Sequence, residues 1–192
     1  FFSYQSRNEG DILRSFEKKK EFLKREGYLA EGHQGLELTN KGLFAMNIYH
    51  HELIFSELFA TKIGPKLNHV EILLVVATVL FEERRDRTFK QEENHVSKSL
   101  YPKLMPNPIV ADHFKKVQSD VLETFLRRWY DGIDFLDLLE YTEMGEGDIV
   151  RFFRLIIDSL EQIRHATLDE EIKKKVEYVK EKIDRDVVAF NL

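Results

Sequence analysis

The clearest alternation of apolar and polar positions lies between Gly147 and His165. Apolar residues recur there at alternating spacings of four and three, at Ile149, Phe153, Ile156, Leu160 and Ile163. This period predicts an amphipathic helix with one face on a core, and Asp148 is its predicted N-cap. The opposite face carries a polar row of Arg151, Arg154, Asp158, Gln162 and His165. Leu155 lies at the edge of this polar row.

Earlier segments predict helices for this one to pack on. The run from His69 to about Arg85 is apolar on nearly every side, which is typical of a buried central helix, and Asn68 is its predicted N-cap. Thr39 is the predicted cap of a helix that continues to Gly64-Pro65. Three more helices are predicted, over Ala111–Tyr130, over Phe135–Tyr141, and after a capping box at Thr167-x-x-Glu170.

Two further stretches complete the predicted architecture. A helix over Asp11–Arg25 and a hairpin between Leu29 and Leu38 follow the order of the back half of a winged-helix domain. Residues 86–110 are polar and then contain three prolines, so they predict a long connection with one short helix near Glu92–Ser99. The predicted fold is mostly α: residues 1–40 end a winged-helix domain with a short β-hairpin, and residues 41–192 form a helical bundle.

Composition and charge restrict the possible functions of the chain more than its possible folds. The 192 residues carry a net charge of −5, which counts against autonomous, tight nucleic-acid binding but leaves room for a local basic strip. The absence of cysteine excludes disulfides and thiol nucleophiles. Val70–Phe81 is about half as long as a bilayer span, so we expect no membrane partner. The start resembles no signal peptide and lacks an initiator Met, so we expect part of a longer, cytoplasmic or nuclear protein.

No stretch of the sequence predicts an active site. The sequence contains no G-x-x-x-x-G-K-[ST], G-x-S-x-G or H-E-x-x-H motif. Neighbouring His50 and His51 diverge by about 100° on a helix, so we expect no metal site. The acidic pairs Glu82-Glu83 and Glu92-Glu93 are expected to be solvated helix ends, and Asp169-Glu170-Glu171 a helix start. No catalytic residue is predicted, so whether the chain belongs to an enzyme stays open at this point.

Several stretches, in the right order, resemble one known family. They are Leu38-Thr39-Asn40-Lys41-Gly42, Glu52-Leu53-Ile54, Ser56-Glu57-Leu58, Leu67 to Glu83, Trp129 to Phe135, Thr142 to Arg151, and Ile183 to Val188. Together they resemble the DSH C-terminal (DSHCT) domain of the exosome-associated, superkiller-type RNA helicases of superfamily 2. The resemblance covers residues 38–192 well and residues 1–37 loosely.

The resemblance implies a role in an ATP-dependent RNA helicase. In such proteins two RecA-like motor domains precede this bundle and hold ATP and Mg, so we expect no cofactor in this chain. One helix of the bundle, the ratchet helix, faces single-stranded RNA, and it maps onto Asp148–His165. The implied RNA-binding residues are Arg151, Arg154 and Asp158. The family often has a second arginine directly after the position of Arg154, where this chain has Leu155.

Alternatives from other classes remain beside this interpretation. Arg154 and Asp158 have the spacing of an ordinary surface ion pair on a helix. Arg127-Arg128 beside Trp129 is a second basic and aromatic candidate, although Trp129 is more typical of a core residue. The whole chain is alternatively a structural or docking module that braces the motor or recruits a partner such as an exosome-like nuclease complex. A duplex-DNA regulator fits poorly because no recognition helix is predicted and the sequence is acidic.

Overall fold

The computed structural model describes residues 2–33, 35–81, 89–92, 96–116 and 120–189. These ranges confirm the mostly α class, with one antiparallel hairpin at the front. The α-helices are α1 Phe2–Arg25, α2 Asn40–Met46, α3 Glu52–Phe59, α4 His69–Leu80, α5 Val96–Leu104, α6 Pro108–Lys116, α7 Asp120–Tyr130, α8 Phe135–Leu138, α9 Glu146–Ala166 and α10 Glu170–Ile183. Strands β1 Leu29–Gly32 and β2 Gly35–Leu38 form the hairpin, and short 3₁₀ turns lie at Gly64–Lys66, Leu139–Tyr141 and Asp186–Val188.

Helix α4 lies at the centre of the bundle, as its all-round apolar sequence predicts. Its residues from Glu71 to Val79 are all buried, and it packs against α5, α7, α9 and α10. Asn68 caps it as expected, because the Asn68 side chain accepts from the Glu71 amide and the Glu71 carboxylate accepts from the Asn68 amide. The helix ends at Leu80, and residues 82–85 of the predicted extension lie outside the described ranges.

Helices α9 and α10 pack against each other more extensively than any other pair of described elements. All five predicted stripe residues of α9 are buried. Both predicted caps were displaced, however. Helix α9 begins at Glu146 after Gly145, so Asp148 lies within its first turn. Helix α10 is capped by Asp169, whose carboxylate accepts from the Glu171 and Ile172 amides, rather than by Thr167.

Trp129 joins the end of α7 to the C-terminal segment. Its side chain is completely buried beside the rings of Phe135 and Phe153, which confirms the core role. The Trp129 indole N–H donates to the carbonyl of Ile183 at 2.9 Å. In return, the Arg185 guanidinium lies 3.6 Å from the Trp129 ring and donates to the Trp129 and Ile133 carbonyls at 2.8 Å each. Trp129 and Arg185 therefore hold the two segments together reciprocally.

A buried polar cluster connects the hairpin to the bundle. The Glu57 carboxylate on α3 pairs with the Lys41 ammonium on α2 and accepts from the Tyr28 hydroxyl at 3.0 Å and the Asn107 amide at 2.8 Å. Residue 42 must be glycine here, because a Cβ atom would lie only 2.2 Å from the Tyr28 carbonyl oxygen. The predicted helix and hairpin are thus present and anchored, while their membership of a winged-helix domain and the boundary after residue 40 stay predictions.

The prediction of a single helix between Thr39 and Gly64 is wrong, because the structure has two α-helices there. Thr39 does cap α2, accepting from the Gly42 amide at 3.1 Å. Helix α2 then ends at Met46, and a loop over residues 47–51 precedes α3. His51 at the end of this loop has φ of 58°, in the left-handed region, so the chain cannot continue as one helix.

Residues 86–110 were expected to form a long connection, and the family resemblance implies that it is variable; where it is described, this segment packs on the bundle. Helix α5 begins at Val96, and the Glu123 carboxylate of α7 accepts from the Val96 and Ser97 amides at 2.8 and 2.9 Å. Near the other end of α5, Lys103 donates to the buried Glu71 carboxylate of α4 at 2.6 Å. Residues 86–88 and 93–95 of this segment lie outside the described ranges, as do 117–119 within the single helix predicted over Ala111–Tyr130.

Candidate nucleic-acid interface

The outer face of α9 carries the three residues that the sequence singled out. Arg151, Arg154 and Asp158 are all exposed, whereas the opposite face of the helix is in the core. Their spacing of three and four residues stacks them roughly one above the next along the helix, about one turn apart. Together with Gly147, Val150 and Leu155, they line an open groove of about 340 Å³.

Arg151 and Arg154 differ in their contacts with the rest of the fold. Within the described ranges, Arg151 makes no hydrogen bond or ion pair, so its guanidinium reaches into solvent. Arg154 donates from Nε to the carbonyl of Val188 at 3.4 Å, which links α9 to the 3₁₀ turn Asp186–Val188. Leu155, which is 47% exposed, lies beside Arg154 as an apolar edge of the groove. Arg154 is therefore partly positioned by the fold, whereas no described contact positions Arg151.

Asp158 interacts with the next turn of α9 rather than forming the surface pair that its spacing from Arg154 suggested. The Gln162 side-chain amide donates to Asp158 Oδ2 at 2.8 Å. The Gln162 amide oxygen in turn accepts from the backbone N–H of Tyr49 at 3.0 Å. A short chain of hydrogen bonds thus runs from the groove to the loop between α2 and α3.

Behind the groove, the C-terminal half of α9 carries a compact charge cluster around Glu161. Its carboxylate accepts from Arg164, from Lys180 of α10 at 2.9 Å, and contacts His165 Nε2 at 2.9 Å. The hydrogen bond from Arg164, aided by Lys180, lowers the pKa of Glu161 from 4.5 to about 2, against the opposing effect of burial. The last residue of the predicted polar row, His165, thus belongs to this cluster.

The lowered pKa of Glu161 predicts a pH-dependent contribution to stability. A carboxylate whose pKa falls on folding stabilises the folded state above its unfolded pKa, and that contribution disappears as the pH falls from about 4.5 toward 2. Because the side chain is 31% exposed, we expect Glu161→Gln to cost only about 1 kcal/mol at pH 7. Urea denaturation of wild type and variant across this pH range measures the difference, which should shrink toward zero near the acidic end. Glu181→Gln, an exposed change on α10, is the matched control; an equal effect of both variants would contradict the assignment.

The second basic and aromatic candidate does not present its tryptophan ring at the surface. Trp129 is buried, and the arginines beside it have partners of their own. Arg128 pairs with Glu92 at 2.6 Å and lies over the ring of Tyr141, and Arg127 pairs with Asp131 at 3.6 Å. Glu92 is therefore used in an exposed ion pair, while Glu82, Glu83 and Glu93 lie outside the described residues.

The described part of the chain has neither a cluster of metal ligands nor a membrane-spanning helix. No three histidine, aspartate or glutamate side chains there are grouped closely enough to hold a metal ion, and His50, His51 and Glu52 are all exposed. No helix in the same ranges is both long and apolar enough to cross a bilayer. The expectation that ATP and Mg bind outside this chain stays a prediction.

Comparisons with known proteins match this chain to a family. A model of the DSHCT (NUC185) domain matches residues 35–191. The chain is also similar to an uncharacterized helicase of Schizosaccharomyces pombe, with 30% identity over 93 residues, or 47% of this chain and 9% of that protein. The chain thus spans only a small part of the length of that relative. Since the family model covers well over half of the sequence, from the hairpin to the C-terminal segment, the chain belongs to the DSHCT domain family.

Proposed function

We propose that this DSHCT domain is an accessory domain of an ATP-dependent RNA helicase and that α9 guides single-stranded RNA through it. The observation that carries the proposal is the exposed row of Arg151, Arg154 and Asp158 on a helix whose other face is locked in the core. The family match and the relative named as a helicase support attachment to a helicase chain. ATP and Mg would be held by RecA-like motor domains of the same protein.

The chemistry of the row suits a phosphate backbone. A guanidinium is always charged, binds phosphate oxygens through two parallel hydrogen bonds and can stack on a base. Arg151 and Arg154, one turn apart, offer two such groups in line with the helix axis. The Asp158 carboxylate can accept from a ribose 2′-hydroxyl with lone pairs that its bond to Gln162 does not use. The row therefore provides both charge and a means of sensing RNA.

Bracing of the motor is the second part of the proposal, and the front of the chain supports it. Helix α1 exposes Ile12, Leu13 and Phe16, each between 59 and 63% exposed. Large apolar side chains grouped on one exposed helix segment are typical of a protein contact. We assign that contact to the motor domains, and recruitment of an exosome-like nuclease complex remains the alternative function as a pure docking module.

A paired substitution in the complete helicase tests the role in RNA guidance. Replacing Arg151 and Arg154 by alanine removes two phosphate-binding groups from the row, so we expect RNA-stimulated ATP hydrolysis and unwinding to fall about tenfold. The salt dependence of RNA binding should also become shallower, because fewer counterions are released. ATPase assays with and without single-stranded RNA, and binding measured across a salt series, give both quantities.

Controls separate RNA contact from a change of fold. Lys98→Ala with Lys174→Ala removes the same charge from exposed positions on α5 and α10 and should leave RNA stimulation unchanged. Arg151→Glu alone should also lower stimulation, and it leaves the Arg154 bond to Val188 in place. Full RNA stimulation in the double arginine variant, with an unchanged circular dichroism spectrum, would reject RNA guidance and favour the docking module.

A further inference from the structure

Tyr49 is the most exposed large apolar residue among those whose burial the structure describes. It lies in the loop between α2 and α3, and its side chain is 79% exposed. The preceding residue, Ile48, is 6% exposed and anchors the loop in the core. The aromatic ring of Tyr49 therefore adds little to packing, although the backbone that carries it is well fixed.

The position of Tyr49 is set by the polar row of α9. Its backbone N–H donates to the Gln162 side-chain oxygen at 3.0 Å, and the Gln162 amide donates to Asp158 at 2.8 Å. Eleven residues separate Arg151 from Gln162, so the row and its continuation extend about 16 Å along the helix axis. The two hydrogen bonds of Gln162 thus place Tyr49 beyond Asp158, at the end of the same face.

From this arrangement we infer that Tyr49 is a stacking residue for a base of single-stranded RNA that lies along α9. The inference rests on the proposed function and extends it to a residue outside the helix. Proteins that bind single strands combine basic side chains with exposed aromatic rings, because phosphates follow the charges and bases stack on the rings. Stacking does not depend on base identity, so Tyr49 would hold RNA without selecting its sequence.

Protein docking is the other use that the surroundings of Tyr49 suggest. Leu43 and Met46 on α2 are 42 and 64% exposed and, with Tyr49, recur every three residues. The hydrogen bonds of Gln162 connect Tyr49 to the polar row of α9 rather than to this apolar strip. This connection favours RNA binding over protein docking as the role of Tyr49. A fixed backbone also lowers the entropy lost when the ring stacks on a base.

Three substitutions at residue 49 in the complete helicase distinguish the two uses. The probe is a short oligouridine with one 2-aminopurine, a base whose fluorescence falls when it stacks. Tyr49→Ala is expected to weaken RNA binding about fivefold or more and to abolish the fluorescence change of one probe position. Tyr49→Phe keeps the ring and should bind within about twofold of wild type, whereas Tyr49→Leu should resemble Tyr49→Ala. Tyr178→Ala is the matched control, because Tyr178 is a partly exposed tyrosine on α10 whose ring contacts His69 on α4.

The outcomes separate this inference from the proposed function. Loss of binding in the alanine and leucine variants, with recovery in the phenylalanine variant, supports stacking. Wild-type binding by Tyr49→Leu would mean an apolar contact and would overturn it. If Tyr49→Ala binds normally while the double arginine variant loses RNA stimulation, Tyr49 has no part in RNA guidance but the function of α9 stands. If both retain RNA stimulation and binding, the inference and the proposed function fail together.

Discussion

Replacing Glu57 by alanine is expected to lower the free energy of unfolding by about 3–5 kcal/mol. The Glu57 carboxylate is 4% exposed and has Lys41, Tyr28 and Asn107 as partners. Removing it leaves the Lys41 ammonium, itself only 16% exposed, without its buried counter-charge. The loss therefore includes the cost of a desolvated cation as well as several hydrogen bonds. Urea denaturation followed by circular dichroism measures the change.

A second variant separates the unpaired charge from the rest of the cluster. Lys41→Met combined with Glu57→Leu replaces the buried ion pair by apolar side chains of similar size, so it should recover a large part of the lost stability. The Tyr28 hydroxyl would still have Ser56 as a partner, at 2.8 Å. If Glu57→Ala costs less than about 1 kcal/mol, the cluster does not hold the hairpin on the bundle in the way its geometry indicates.

Trp129→Ala is expected to be comparably destabilising, by about 3–5 kcal/mol. The substitution opens a cavity beside Phe135 and Phe153, removes the hydrogen bond to the Ile183 carbonyl and takes away the surface on which Arg185 lies. Because Trp129 is the one tryptophan of the chain, thermal unfolding of the variant is followed by circular dichroism rather than by fluorescence.

Two comparisons give the size of the Trp129 effect a meaning. Trp129→Phe keeps an aromatic ring in the site but lacks the N–H donor, so it should lie between the wild type and Trp129→Ala. Leu168→Ala removes an apolar side chain that is 72% exposed and should change stability by less than about 0.5 kcal/mol. A Trp129→Ala variant no less stable than Leu168→Ala would show that the α7 end is not fastened as the structure indicates.

Local sequence patterns predicted the elements of the bundle that depend on nearby residues. The apolar run after Asn68 predicted the buried α4, because nine consecutive buried positions need no distant partner to be recognised. Thr39 and Asn68 were recognised as caps because their acceptors serve amides three residues on. The two wrong cap predictions also have a local cause. Several residues near Asp148 and near Thr167 can serve as N-caps, and the sequence pattern does not distinguish between them.

Elements that depend on distant residues were not predictable in this way. The break between α2 and α3 contains no glycine or proline, and its left-handed residue is His51. Of the candidate site, the helical period placed Arg151, Arg154 and Asp158 on one exposed face of α9, while their contact with RNA stays a prediction. Tyr49 was missed, because it lies 113 residues before Gln162 in sequence and only the fold brings the two together. The signal available was a tyrosine in a short loop that also contains Asn47, His50 and His51.

The hydrogen bonds at the start of α5 have a consequence for the order in which the chain folds. Helix α5 has nine residues, and helices of that length are marginal on their own. Its first amides are capped by Glu123, which follows Ser97 by 26 residues. During synthesis, α5 therefore lacks its cap until α7 has left the ribosome and docked on α4. We therefore expect α5 to form late and its hydrogen-exchange protection to follow the stability of α7.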